Sequence, residues 1–153
     1  MAKKTSPQIK IISPAMEHRV ILDTGPLTAF LNRRDNYHYW MLGQLQKTTS
    51  AFITCEAVLS ETLYLAGHSH AAILAISGMI REDLIRVYPV MSEYSEPVLQ
   101  LMKKYSDLPA SLADVCLLQM YNLGMGDKIM TLDSDFRIFR DKKSKPLKLI
   151  TPQ

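Results

Sequence analysis

The chain of 153 residues has few cysteines and lacks long apolar runs. No stretch approaches the roughly 20 apolar residues that span a bilayer, so we expect no membrane span. The start of the chain has no apolar stretch of signal-peptide length, which favours a cytoplasmic protein. Cys55 and Cys116 lie in apolar runs without metal-ligand spacing. We therefore expect buried free thiols in a reducing compartment.

A strong charge of one sign is also missing. The net charge of +3 permits a nucleic-acid partner but does not require one. No Gly-rich phosphate loop is present, because Gly124 and Gly126 follow a predicted helix and suit its end better than the start of another. With 47% hydrophobic residues, the chain can bury one ordinary core. We expect a flexible basic N-terminal arm over residues 1–17 and one domain over residues 18–153.

Segments with strand and helix patterns alternate along this domain. Thr54 is expected to cap a helix over residues 55–66. Strands separated by helices imply crossover connections, and hence an α/β fold with a short, mainly parallel sheet covered by helices. The predicted strands are 20–22, 52–53, 84–90, 128–132 and 147–151, and the predicted helices are 27–32, 37–47, 55–66, 69–83, 96–105 and 111–123.

Acidic residues follow two of these strands. Asp23 comes directly after the first, and Asp133 and Asp135 follow "IMTL". In parallel sheets, ligands gather beyond the carboxyl ends of the strands. We therefore expect these carboxylates to lie close together, although about 110 positions of the sequence separate them.

Two further acids interrupt apolar helix faces. Glu61 lies on one stripe with Val58 and Leu65, and Asp114 opens the apolar helix over 111–123. Structural interpretations exist: Asp23 and Asp133 suit helix caps, Ser111 and Asp114 fit a capping box, and Glu61 suits an ion pair. Each accounts for one acid, whereas a cation pocket accounts for all four together.

The ligand types indicate the cation. Carboxylates without a Cys or His cluster favour a hard ion, Mg²⁺ or Mn²⁺, which keeps room for waters and phosphate oxygens. Such an ion can activate a water and stabilise the charge that develops in phosphoryl transfer. Phosphodiester hydrolysis is the chemistry that this pattern predicts.

Four segments, in this order, resemble the acidic motifs of PIN-domain proteins, which include the VapC-type ribonuclease toxins. They are "ILDTGPL", "VLSETLYL", "DLPASLADVCLLQ" and "IMTLDSDF". The resemblance covers residues 19–152. It implies a three-layer α/β/α sandwich and a Mg²⁺- or Mn²⁺-dependent ribonuclease.

The same resemblance implies roles for particular residues. Asp23, Glu61, Asp114 and Asp133 match the four catalytic, metal-binding acids, and Asp135 is the alternative for the fourth. Thr24 and Thr131 match supporting hydroxyl residues, able to hold a ligand or a water. Ser111 stands where some relatives carry another acid, so a second metal position is expected to be weak or to depend on the substrate.

Partners and alternatives follow from the resemblance as well. It implies an RNA substrate, an antitoxin protein and a homodimer. A PIN-like module that binds RNA or protein without cutting is the main alternative. A phosphatase or phosphoacceptor domain also places Asp after a strand, but "DTGPL" lacks the second Asp two residues on.

An aromatic cluster and several basic pairs have two interpretations each. Tyr37, His38, Tyr39 and Trp40 suit stacking on unpaired bases, or a helix that packs into the core or a dimer contact. Arg33 and Arg34 suit phosphate contacts or a solvated turn. The sequence favours core packing or a dimer contact for the aromatic cluster. It does not decide between phosphate contacts and a solvated turn for Arg33 and Arg34.

Overall fold

The computed structural model describes residues 18–152, and its centre is one parallel sheet of five short strands. The strands lie in the order β3-β2-β1-β4-β5, and every neighbouring pair is parallel. Their bounds are β1 Val20–Leu22, β2 Phe52–Cys55, β3 Ile85–Tyr88, β4 Lys128–Met130 and β5 Leu149–Ile150.

Helices fill the connections between these strands. The sequence pattern does not predict the one-turn helix α5, Val90–Glu93. A short 3₁₀ helix, Ser134–Arg137, follows β4. The α-helices are α1 Thr24–Leu31, α2 His38–Lys47, α3 Glu56–Leu65, α4 His70–Arg81, α5 Val90–Glu93, α6 Ser95–Lys104 and α7 Leu112–Asn122.

The strand order separates the helices into two layers. The chain moves from β1 through β2 to β3, then returns to β4 and β5 on the other side of β1. Because crossovers between parallel strands are right-handed, this reversal places α1–α4 and α5–α7 on opposite faces. The α/β sandwich with a short parallel sheet, predicted from the sequence, is confirmed.

The core lies between the central strands and α7. All residues of β1 and β2 are buried, as expected for strands covered on both faces. Residues 113–120 of α7 are buried as well. Both cysteines belong to this core as buried free thiols, which confirms the burial and the free state predicted for them.

Two predicted helix starts are wrong. Thr54 does not cap a helix: it lies in β2, and its Oγ1 donates to the Leu22 carbonyl across the sheet at 2.8 Å. Helix α3 instead follows Cys55, whose side chain makes no capping bond. Helix α1 begins at Thr24 rather than after Pro26, because a proline in the first turn has no intrahelical bond to lose.

The predicted N-terminal arm, residues 1–17, lies outside the described residues. Within residues 18–152, no helix has the length and apolarity needed to cross a bilayer, and the longest, α4, has 12 residues.

Candidate active site

The predicted acids surround the carboxyl ends of β1 and β4. These strands are neighbours, with Leu22 opposite Met130, and the connections that leave them run in opposite directions along the sheet. Such a reversal opens a crevice at the sheet edge, where α/β proteins bind ligands. Asp23 follows β1, and Asp133 follows β4.

Asp23 is buried in a hydrogen-bond network that joins the two strand ends. Its backbone N–H donates to the Met130 carbonyl at 3.0 Å. Its Oδ1 accepts from the Thr24 N–H and its Oδ2 from Thr131 Oγ1, both at 2.7 Å. Thr131 Oγ1 in turn accepts from the Asp133 N–H at 2.9 Å. The first and fourth motifs are therefore held together through one hydroxyl.

Glu61 reaches the same place from α3. Thr24 Oγ1 donates to Glu61 Oε2 at 3.0 Å, so the hydroxyl of the first motif orients the acid of the second. The prediction that Glu61 lies on an apolar face is correct only toward the start of α3, where Val58 is fully buried. Tyr64 and Leu65 are exposed, so this face of α3 opens to solvent beside Glu61.

Asp114 has a structural role in addition to its position. Its Oδ2 accepts from the Ser111 N–H at 2.9 Å, and its own N–H donates to Ser111 Oγ at 3.1 Å. This is the capping box that the sequence suggests, and it holds the carboxylate at the start of α7. Ser111 therefore positions Asp114.

The four acids line one open cavity of about 320 Å³. Asp135 is not among its lining residues, and its N–H donates to Asp133 Oδ1 at 2.9 Å. Within the described residues, none of the four acids forms an ion pair with Lys or Arg. The lining consists of Asp23, Thr24, Gly25, Glu61, Leu65, Asp114, Leu132 and Asp133.

Burial and mutual repulsion disfavour the charged forms of two acids. Burial raises the pKa of Asp23 to about 7, against the opposing hydrogen bonds from Thr131 and Thr24, with Asp114 and Asp133 adding to the rise. Burial also raises the pKa of Asp114, and the nearby Asp133 and Glu61 carboxylates raise it further. The cavity is thus an acidic site that no Lys or Arg of residues 18–152 neutralises through an ion pair.

The donor set fits a hard divalent cation in chemistry and charge. Four carboxylates face one cavity, and a cation would oppose the burial and the repulsion that raise the pKa of Asp23. In the described part of the chain, however, no three His, Cys, Asp or Glu side chains stand in an arrangement that could hold a metal ion. A cation would therefore have to draw the side chains together.

Gly25 is a site residue that the sequence analysis did not single out. A Cβ at this position would lie 3.1 Å from Leu132 Cβ, a tight contact between the start of α1 and the segment after β4. The glycine allows the first and fourth motifs to approach each other. Its place inside "DTGPL", between Asp23 and a helix, is the signal that could have identified it.

Comparison with known proteins gives a family and a fold. The chain matches the model of the PIN domain over residues 20–142, and no curated protein sequence matches it significantly. VapC20 of Mycobacterium tuberculosis, a toxin that cleaves the sarcin-ricin loop, has a similar structure with a TM-score of 0.66 and 21% identity, covering 76% of this chain and 91% of that one. A chain of VapBC2 from Rickettsia felis, bound to a DNA fragment from the promoter, is also similar, with a TM-score of 0.58 and 16% identity. This match covers 88% of the present chain and 99% of the VapBC2 chain.

Proposed function

The chain belongs to the PIN-domain family, and on that premise we propose that it is a Mg²⁺- or Mn²⁺-dependent endoribonuclease and the toxin of a toxin-antitoxin pair. The observation that carries this proposal is the meeting of Asp23, Glu61, Asp114 and Asp133 around one cavity at the carboxyl edge of the sheet. The raised pKa of the buried Asp23 supports it, because functional sites collect such perturbed groups.

The four acids would hold the cation, which when bound supplies Lewis-acid activation of water and of the phosphodiester. The chain's own contribution is orientation. Thr131 Oγ1 fixes Asp23 Oδ2, and Thr24 Oγ1 fixes Glu61 Oε2. Ser111 holds Asp114 at the start of α7. After these bonds, each of the three carboxylates keeps a second oxygen or a lone pair that can bind a ligand. The network thus limits the side-chain entropy that is lost when a cation draws the acids together.

The toxin assignment draws on the two similar structures. VapC20 cleaves an RNA loop, and VapBC2 is bound to promoter DNA, so a partner antitoxin and an RNA target are consistent with this fold. An antitoxin would have to block or distort the acidic cavity. Growth arrest on expression that disappears in Asp23→Asn tests this part. The homodimer stays a prediction, for which sedimentation of the purified protein is the measurement.

The nuclease proposal is tested by cleavage of pooled structured and unstructured RNAs with Mg²⁺, Mn²⁺ or EDTA. We expect cleavage with either ion, none in EDTA, and cleavage slowed at least about 100-fold in Asp23→Asn and Asp114→Asn, with an unchanged circular dichroism spectrum. Asp107→Asn is the matched control, because Asp107 is exposed and lies outside the cavity. Cleavage that persists in EDTA or in both variants would contradict the proposal and indicate a contaminating nuclease.

A PIN-like module that binds RNA without cutting is the second candidate. The observation that favours it is that no three potential ligands within residues 18–152 stand ready to hold a metal. It predicts RNA binding without cleavage, and no change in unfolding temperature when Mg²⁺ or Mn²⁺ is added. A rise in that temperature, absent in Asp23→Asn, would favour the nuclease, since a ligand of the native state stabilises it.

A further inference from the structure

Two further cavities lie along α1 and share lining residues with the acidic cavity or with each other. A cavity of about 310 Å³ adjoins the acidic cavity at Leu65, and a cavity of about 520 Å³ adjoins that one at Leu31, Ala71 and Ala72. We name these two cavities together the α1 groove. It lies between α1 and α4, and it ends at the start of α2, where Arg33 and Tyr39 line it.

The groove is lined by apolar side chains, by neutral hydrogen-bonding side chains and by the cation Arg33. In the described part of the chain, neither cavity has an Asp or Glu in its lining, whereas the adjoining site has four acids. Its polar groups are hydrogen-bonding neutral side chains, including Thr28, Asn32 and Ser69, and the charged side chain of Arg33. Asn32 Oδ1 accepts from the Arg34 N–H at 3.1 Å, which leaves the amide nitrogen free to donate.

Tyr39 provides an exposed ring at the far end of the groove. The side chain is 80% exposed, while the neighbouring His38 is buried. His38 Nδ1 lies 2.8 Å from the Ala29 carbonyl, which ties the start of α2 to α1. The two rings make an edge contact, with centroids 5.4 Å apart and planes at 79°. Tyr39 is therefore positioned from one side and open on the other.

We propose that the α1 groove binds the single-stranded RNA that flanks the cleaved bond, with a base stacked on Tyr39 and a phosphate beside Arg33. This inference rests on the proposed function, since it takes the acidic cavity as the place of the scissile phosphate. Helix α1 has 8 residues and spans about 12 Å, the length of about three to four stacked nucleotides at about 3.4 Å each. Tyr39 would thus select an unpaired base close to the cut.

The test is the affinity for a fluorescein-labelled 12-nucleotide single-stranded RNA, measured by anisotropy in EDTA so that no cleavage intervenes. Stacking of one base on an aromatic ring predicts that Tyr39→Ala weakens binding about 5- to 100-fold. Tyr39→Phe keeps the ring and should bind as the wild type does. A duplex of the same sequence should not distinguish the three proteins, because its bases are already stacked on one another.

Arg33 has a separate signature. Arg33→Gln removes one phosphate contact on a single strand, so the negative slope of log K against log salt should become about 0.7 less steep. Tyr39→Ala should leave that slope unchanged. Lys103→Gln is the matched control, because Lys103 is an exposed cation on α6 outside both cavities. It should change neither affinity nor slope.

Unchanged RNA affinity of Tyr39→Ala, or an equal loss on the duplex, would overturn the inference. The inference would also be overturned if Tyr39→Ala differed from the wild type in sedimentation mass but not in RNA affinity. That result would assign the groove to a protein partner or a second copy. Failure of the nuclease proposal gives a different result: no cleavage with Mg²⁺ or Mn²⁺, while the binding differences between the Tyr39 variants persist.

Discussion

Two strand-to-helix junctions in this fold have nearly the same backbone and very different side chains. Asp23 joins β1 to α1, and Cys55 joins β2 to α3; both are buried, extended residues at the helix start. The Asp23 side chain caps its helix, whereas that of Cys55 makes no capping bond. Since the second junction forms without an acid, the geometry of the fold does not require one at Asp23.

The two junctions also differ in what their side chains cost. The Cys55 thiol is neutral at ordinary pH, and the neighbouring Cys116 thiol together with burial raises its pKa further. Asp23 must either be protonated or remain as a buried charge near Asp114 and Asp133. Folding does not explain a buried acid at a position where a thiol suffices, and the proposed cation site would explain it.

The largest expected effect is on the rate of RNA cleavage, when Asp23→Asn is compared with Cys55→Ala. Asp23→Asn should lower the rate of RNA cleavage about 1,000-fold, the equivalent of about 4 kcal/mol of transition-state stabilisation. Cys55→Ala should keep the rate within a few-fold and cost about 1 kcal/mol of unfolding free energy, because it removes one buried atom. Single-turnover cleavage and urea unfolding measure the two effects.

An equal loss of cleavage in both variants would show that the junctions act through the stability of the fold, and the comparison would fail.

A second, smaller effect is expected where an acid both caps a helix and lines the cavity. Asp114→Asn keeps an oxygen that can accept from the Ser111 N–H, so the capping box can persist while the charge is lost. We expect cleavage to fall on the order of 100-fold with little change in the urea midpoint. A large drop in that midpoint, with cleavage falling in proportion, would instead make Asp114 a structural residue.

The pH dependence of stability sharpens the comparison in metal-free protein. The pKa of Asp23 is about 7 in the folded chain and 3.8 as the ordinary value, so the folded state binds more protons between these pH values. Its contribution to stability is therefore present at low pH and is lost as the pH rises from about 4 to about 7. Asp23→Asn lacks this loss, and between pH 5 and pH 8 it should gain about 3 kcal/mol relative to the wild type.

Urea unfolding in EDTA at the two pH values measures this gain, and Asp107→Asn, an exposed acid, should show none. Parallel pH profiles of the wild type and Asp23→Asn would contradict the raised pKa.

Sequence patterns predicted the strands well because burial on both faces imposes short apolar runs such as Val20–Leu22. They also placed Asp23 and Asp133 at one edge, since parallel strands bring their carboxyl ends together. The direction of each side chain was beyond them. Thr54 and Thr131 each follow apolar strand residues, yet one bonds a carbonyl 32 positions away and the other a carboxylate 108 positions away.

Contacts of that kind depend on the strand order. The β1–β4 pairing makes Thr131 a neighbour of Asp23, and the β1–β2 pairing makes Thr54 a neighbour of Leu22. A local pattern contains no information about which strand lies beside which. For the same reason, the bond between Thr24 and Glu61 could be expected only from the family resemblance and not from spacing.

These two threonines provide the smallest and most closely matched test. Thr131→Val removes the donor to Asp23 Oδ2 and the acceptor for the Asp133 N–H, so cleavage should fall about tenfold, as for loss of an outer-shell partner. Thr54→Val removes a donor of similar burial from the Leu22 carbonyl, and it should cost about 1 kcal/mol of stability without changing cleavage. If Thr54→Val lowered cleavage as much as Thr131→Val did, the carboxyl edge of the sheet would respond as one unit, and the special role of the hydroxyl beside Asp23 would be lost.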